Sequence, residues 1–77
     1  MSMQRVGEVV RTAQGLAVVR SPDDGHPDFG TTVVDENLDE IGRIVDVFGP
    51  VDQPYVAVSA DEGVRLPTLL GSVLYAR

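Results

Sequence analysis

Short apolar runs separated by turn-forming residues recur along the whole chain at nearly even spacing. They occupy residues 6–11, 16–20, 31–35, 41–48, 55–59 and 73–76. These runs are rich in β-branched and aromatic residues, which suit the pleated surface of a strand. Only residues 67–70, which begin with a proline and precede Gly71, suggest a helical turn. The pattern therefore predicts an all-β fold, a small six-stranded antiparallel barrel, because closing the sheet removes exposed strand edges.

Two features of the first runs agree with a barrel. The residues between the first two runs, Ala13-Gln14-Gly15, predict a hairpin turn and hence antiparallel pairing. Gly7 interrupts the first run, which predicts a bulge or a close approach of two backbones, as at a barrel corner.

The fourth run, residues 41–48, lacks the polar face that a half-solvated strand would show. Side chains along a strand point alternately to opposite faces. One predicted face carries Gly42, Ile44, Asp46 and Phe48, and the other carries Ile41, Arg43, Val45 and Val47. We expect the barrel core to cover Ile44 and Phe48, and a molecule outside the chain to cover Val45 and Val47. The alternative, that a loop of the same chain covers the two valines, stays open at this point.

The connection between the fourth and fifth runs is predicted to be stiff. It contains Gly49-Pro50 and Gln53-Pro54. Each proline fixes its own φ and biases the preceding residue toward extended geometry. We therefore expect a rigid, turn-rich loop over residues 49–54.

Composition limits the chemistry that the chain can perform. Its 77 residues predict a single domain over residues 1–77, and they include no cysteine, no lysine and one histidine, His26. Disulfides and thiolate metal sites are excluded, and a structural zinc site is not expected. The serines lack a catalytic context, and a phosphate-binding loop would need a lysine. We therefore predict a protein that is not an enzyme and that binds no cofactor or metal.

Acidic residues in one loop raise a possible metal or acid–base site. Asp23, Asp24 and Asp28 flank His26, but their spacing fits neither a calcium loop nor a zinc motif. We expect a solvated loop with Phe29 as its apolar anchor.

Two further groups of acidic residues receive structural interpretations. The acidic turn at residues 35–40 is expected to be solvated, with Leu38 as its apolar tether. Asp46 interrupts an apolar strand. We predict that its carboxylate accepts hydrogen bonds from backbone N–H groups of the following turn, or pairs with an arginine such as Arg43.

The charge balance argues against direct binding of nucleic acid. Twelve acidic residues face six basic ones, all arginine, for a net charge of −6. Nucleic-acid-binding proteins owe much of their affinity to clustered basic side chains. No apolar run is long enough to span a membrane, and the first residues lack the apolar segment of a secretion signal. These features predict a cytoplasmic protein.

A family resemblance appears in the fourth and fifth runs. The run Asp46-Val47-Phe48-Gly49-Pro50-Val51, followed by Pro54-Tyr55-Val56, resembles the D-x-F-G-P-V-x-x-P-Y signature of the Gar/Naf family. The segments Ile41-Gly42, Pro27-x-x-Gly30-x-x-Val33 and Gly71-x-Val-Leu-Tyr75 are also similar to that family. The likeness covers about residues 4–76.

The resemblance implies a subunit of the H/ACA ribonucleoprotein, which converts uridine to pseudouridine in RNA under the direction of a guide RNA. In the archaeal family members, the Gar subunit is a barrel like the second domain of translation factors. It docks on the dyskerin-type pseudouridine synthase, contacts the guide RNA only through the complex, and influences substrate placement and product release. Carried onto this chain, the docking residues would be Val45, Val47, Gly49, Pro50, Val51, Pro54 and Tyr55.

Alternatives from other classes remain at this point. A Naf-type assembly factor shares the barrel but usually belongs to a longer chain, and the glycine-arginine-rich tails of nuclear relatives are not present here. A direct RNA-binding barrel would have to overcome the negative charge. A small barrel enzyme would need a base and a phosphate loop that the motifs do not supply. We expect the isolated chain to be monomeric.

The acid-rich, lysine-free composition also suits a halophilic archaeal cell, because a salt-rich interior screens the repulsion between carboxylates. We predict that the melting temperature, followed by circular dichroism, rises between dilute buffer and molar KCl. A melting temperature that is already maximal in dilute buffer would contradict this adaptation.

Overall fold

The protein is an all-β barrel with one short 3₁₀ helix, in a computed structural model that describes residues 4–22 and 28–77. The sheet closes in the order β1-β2-β5-β4-β3-β6, and every neighbouring pair is antiparallel. The predicted six-stranded antiparallel barrel is therefore confirmed. The strands are β1 (Gln4–Ala13), β2 (Leu16–Arg20), β3 (Thr32–Val34), β4 (Glu40–Phe48), β5 (Tyr55–Ala60) and β6 (Val73–Ala76).

The strand boundaries follow the apolar runs closely. β2 and β6 begin and end at the predicted residues, whereas β1 is longer and β3 shorter than predicted. The predicted helical turn is a 3₁₀ helix, Leu66–Leu69, which places Leu69 in the core. No helix in the described part of the chain is long and apolar enough to cross a membrane. Asp23, Asp24 and His26 lie outside the described residues, so the structure does not test a metal or acid–base site in their loop.

The interior of the barrel is filled by aliphatic side chains that the strands point inward. A small barrel has room inside only for such a packed set of side chains. Fully burying one of them stabilises the fold by about 1.5–3 kcal/mol relative to leaving it exposed. The inward residues at most 1% exposed include Val6, Val9, Val19, Val33, Ile44, Val56, Val58 and Leu74.

A two-residue turn joins β1 and β2, as the sequence predicts. Gln14 has φ of 45° and Gly15 has φ of 83°. Positive φ at both central residues is the mark of a type I′ turn, whose twist matches that of the flanking strands. The turn therefore sets the register of this hairpin.

Two glycines allow strands to approach each other closely at the corners of the barrel. A Cβ on Gly7 would lie 2.0 Å from the carbonyl oxygen of Arg20, and one on Gly42 would lie 1.9 Å from that of Ser59. The register of β1 against β6 also shifts between Arg5 and Gly7. The predicted bulge or close approach at Gly7 is thus confirmed. The equivalent role of Gly42 was missed, because this glycine lies in an apparently regular strand.

The predicted alternation along β4 is wrong, because the strand pairs irregularly at two places. The register shifts at Ile41 against β3 and at Val45 against β5. Ile41, predicted on the outer face, is consequently only 4% exposed. Val47, also predicted outside, packs partly against the core. Phe48, predicted inside, is 45% exposed.

The seam between β3 and β6 is the shortest pairing of the barrel. Its register contains two pairs, Val33 with Ala76 and Val34 with Tyr75. The Arg77 N–H extends the seam by donating to the Thr32 carbonyl at 3.0 Å. β6 also pairs with β1 through Gln4–Glu8. β6 therefore links β1 to β3, which lies in the middle of the sequence.

The close approach at Gly42 can be tested by adding one methyl group. We expect Gly42→Ala to lower the free energy of unfolding by about 1–3 kcal/mol, because a rigid carbonyl blocks the new Cβ. In a domain of this size that corresponds to about 4–8 °C in melting temperature per kcal/mol. The control is Ser59→Ala, which changes an exposed side chain and leaves the blocking carbonyl in place. Equal melting temperatures for Gly42→Ala and the wild type would show that β4 and β5 can move apart at this point with no loss of stability.

Candidate docking surface

The outer face of β1, β2, β5 and β4 carries apolar side chains that the barrel does not cover. Val10, Val45 and Phe48 are 44%, 49% and 45% exposed. Val18 and Tyr55 are half-buried between them. We call these five residues the outer patch. Apolar side chains grouped on one face, rather than scattered singly, make this face the candidate docking surface.

Two β-bulges turn residues of the outer patch toward solvent. In β1, Val9 pairs with Val19 and Arg11 with Val18, so Val10 is an extra residue. A bulge places two residues of one strand opposite one residue of its partner and bends the strand. The extra side chain then lies on the outer face although the neighbouring strand keeps its alternation.

The bulge in β4 works in the same way and also explains the error for Phe48. Ile44 pairs with Val58 and Asp46 with Ala57, which leaves Val45 as the extra residue. Strict alternation from Ile44, which is in the core as predicted, would have pointed Phe48 inward. One inserted residue reverses the orientation of everything that follows it in the strand.

Phe48 and Tyr55 form an aromatic platform in the outer patch. They are register partners across β4 and β5, and their ring centroids lie 5.7 Å apart at an interplanar angle of 26°. Such pairs are worth about 0.5–1.5 kcal/mol beyond their area burial. Gly49 has φ of +91°, and a Cβ there would lie 2.8 Å from Cδ2 of Tyr55. The glycine therefore lets the tyrosine ring lie against the start of the β4–β5 loop.

The β4–β5 loop exposes two of its predicted docking residues and buries a third. Pro50 is exposed, and Val51 is 91% exposed at the tip of the loop. The Gln53 N–H donates to the Pro50 carbonyl at 3.3 Å, which closes the loop into a turn. Pro54 is buried, and its carbonyl accepts a hydrogen bond from the Ser21 N–H at 3.0 Å. Pro54 therefore anchors the loop to the barrel, and its predicted part in a rigid docking loop stays a prediction.

The predicted docking residues therefore divide into two groups. Val45, Tyr55 and the exposed part of the loop border one outer face, whereas Val47 and Pro54 support it from inside. Sequence reasoning missed Val10, Val18 and Phe48. A signal for Val10 was present, since the run Val9-Val10 breaks alternation in β1, but it does not identify which valine is the extra residue.

A groove with a volume of about 390 Å³ runs across the outer patch. Two valines, two aromatic residues and two arginines line it. The Arg20 Nη2 donates to Oε1 of Gln53 at 3.2 Å, which ties β2 to the β4–β5 loop. The residues lining the groove are Val10, Arg11, Val18, Arg20, Phe48 and Tyr55.

Asp46 has the structural role that its sequence context suggests, with a different donor. Its Oδ1 accepts a hydrogen bond from the Val47 N–H at 2.8 Å. The donor lies within β4 rather than in the following turn. Among the described residues, no ion pair links Asp46 to Arg43.

The acidic turn before β4 is organised by its first carboxylate. Asp35 Oδ1 accepts hydrogen bonds from the N–H groups of Asn37 at 2.8 Å and Asp39 at 3.0 Å. Within residues 4–22 and 28–77, no three Asp, Glu or His side chains are grouped so that they could hold a metal ion.

The expected apolar roles of Leu38 and Phe29 are wrong, because these side chains are 59% and 65% exposed. Leu38 has φ of 67°, a turn conformation that leaves its side chain in solvent.

Comparisons with known proteins agree on one family. The family described as the Gar1/Naf1 RNA binding region matches residues 3–76. A relative in Chaetomium globosum, H/ACA ribonucleoprotein complex subunit GAR1, is 27% identical over 60 residues, which cover 78% of this chain and 29% of the relative. The protein of the same name in Candida glabrata is 28% identical over 60 residues, which cover 78% of this chain and 27% of the relative. The chain thus spans less than a third of the length of these curated relatives.

The orientation of Phe48 can be tested by comparing two truncations in β4. We expect Ile44→Ala to lower the free energy of unfolding by about 2–5 kcal/mol, because it leaves a cavity in the core. Phe48→Ala should cost about 1 kcal/mol, since it removes mainly the contact with Tyr55. Urea unfolding followed by circular dichroism measures both values. Equal losses for the two variants would place Phe48 in the core and contradict the bulge at Val45.

Proposed function

The chain belongs to the Gar1/Naf1 family, and from that membership we propose that it is a non-catalytic subunit of an H/ACA ribonucleoprotein that docks on the pseudouridine synthase through its outer patch. The observation that carries this proposal is the exposure of Val10, Val45 and Phe48 on one face of a barrel. The outer face of a small barrel is solvated when it is polar, so apolar side chains grouped there favour cover by a larger protein.

The chemistry of the outer patch supports a protein partner. Interfaces concentrate their binding energy in a few central apolar and aromatic residues that become fully desolvated. The Phe48–Tyr55 platform is such an anchor, and its rings are already stacked in the isolated chain. The β4–β5 loop, closed by its Gln53–Pro50 hydrogen bond, loses little conformational entropy on docking.

The proposed contribution of this subunit is to placement rather than to chemistry. The synthase provides the catalytic groups, and the barrel influences how the RNA substrate is positioned and how the product leaves. We propose that the particle, and this subunit with it, works in the cytoplasm, and that the isolated chain is a monomer. The guide RNA is reached only through the complex.

Two related roles compete with this proposal. The family description covers both Gar1 and Naf1 proteins, but the two curated relatives are both GAR1 subunits, which favours the mature particle over its assembly. The description also names RNA binding, and two arginines line the groove. The net charge of −6 opposes a phosphate backbone, so we expect no gel shift with guide RNA alone at moderate salt.

The docking role is tested with two matched aspartate substitutions. Val45→Asp should weaken binding to the synthase by about 30-fold or more, because it places a charge in an apolar interface. Leu38→Asp makes a similar change at an exposed residue outside the outer patch and should leave affinity unchanged. Calorimetric titration of the synthase measures both affinities, after thermal melting has shown that each variant is folded.

The same variants separate docking from function in a reconstituted particle. With synthase and guide RNA, the wild-type chain should raise the rate of multiple-turnover pseudouridine formation, and Val45→Asp should not. Wild-type affinity for Val45→Asp would rule out docking through the outer patch. A tight complex with guide RNA alone would favour the RNA-binding role.

A further inference from the structure

Apolar and aromatic side chains line the groove in the outer patch together with positive charge, in a strongly acidic protein. Two of the six arginines of the chain, Arg11 and Arg20, line it. We infer that the groove receives a segment of the synthase in which an aspartate or glutamate is adjacent to an apolar side chain. The carboxylate lies between the two guanidinium groups, and the apolar side chain packs on Phe48 and Tyr55. This inference rests on the proposed function and adds the chemistry of the segment that docks.

Strand register places the charges and the platform side by side. Arg20 is the cross-strand partner of Tyr55, which is in turn the partner of Phe48. Arg11 is the cross-strand partner of Val18, which lies two residues before Arg20 on β2. Directly opposed residues of an antiparallel pair lie about 4.5–5.5 Å apart at Cβ. One short segment can therefore reach a guanidinium group and the aromatic platform at the same time.

Arg20 is held in position before any partner arrives. Its Nη2 donates to Gln53 Oε1, and Gln53 belongs to the loop that the Pro50 carbonyl closes. A guanidinium group presents several N–H donors in a rigid plane, so one donor can hold the group while others remain for a carboxylate. Two guanidinium groups at one groove suit a planar anion with two acceptor oxygens.

The surroundings favour a single carboxylate over a nucleic-acid backbone. Glu8 is the cross-strand partner of Arg20, and Asp46 lies on the outer face beside Ala57. These carboxylates would repel the successive phosphates of an RNA strand. A protein segment needs to bring only one charge, and its apolar side chain matches the apolar residues that line the groove. The occupant is therefore a protein segment.

The absence of lysine from this chain provides a direct test. Arg11→Lys and Arg20→Lys each introduce a single side-chain amine at the groove. In the complex with synthase and guide RNA, a carbodiimide should join that amine to an aspartate or glutamate of the synthase as an amide. Mass spectrometry identifies the linked peptides. The control is Arg65→Lys, an exposed position beside the 3₁₀ helix that does not line the groove and should give no such link.

Charge reversal gives the second, independent measurement. The double variant Arg11→Glu with Arg20→Glu should bind the synthase at least about tenfold more weakly, with a smaller dependence of affinity on salt. Arg65→Glu should bind within about threefold of the wild type. Titration of the synthase with and without guide RNA, at two salt concentrations, measures these affinities.

The outcomes separate this inference from the proposed function. Links from positions 11 or 20 to a synthase carboxylate, together with weaker binding on charge reversal, support the inference. Unchanged affinity of the double variant overturns it, even if links form, and leaves docking through the outer patch intact. A loss of affinity that appears only when guide RNA is present assigns the arginines to phosphates and also overturns it. No binding of the wild-type chain to the synthase overturns both.

Discussion

Closing a sheet of only six short strands requires strong local bending, and the rest of this structure depends on how that bending is achieved. Bulges at Val10 and Val45 bend β1 and β4, and Gly7 and Gly42 let neighbouring backbones come together where a side chain would not fit. Each bulge adds a residue that the interior has no room for. The devices that close the barrel therefore also place apolar side chains on its outside.

How much of this could be predicted differs between the fold and the surface. β2 and β6 could be located because turn-forming residues bound each apolar run and the type I′ turn has a recognisable glycine. The strand count and the barrel follow from such local signals. The outward orientation of Phe48 could not be predicted, because both faces of β4 are apolar and the position of an extra residue then leaves no trace in the pattern. Val47 is misplaced for the same reason, since an apolar residue near a bulge can lie on either side.

The carboxylates and the arginines on the surface of the barrel have different roles. The acidic turn around Asp35 uses its first carboxylate to hold its own backbone, and Asp46 does the same within β4. The arginines at the groove instead face a surface that the protein leaves open. Two arginines thus give a strongly acidic chain one locally positive groove.

The short seam at β6 has a consequence for how the molecule is made. β6 pairs with β1 and with β3, so neither of those strands has both neighbours until residues 73–76 have been synthesised. During translation the earlier strands can form only an open sheet whose edges are unprotected. Closure then depends on contacts between residues that are far apart in sequence, which is the slow kind of step in folding. The nascent barrel is consequently most open to aggregation, or to capture by a chaperone, just before β6 emerges from the ribosome.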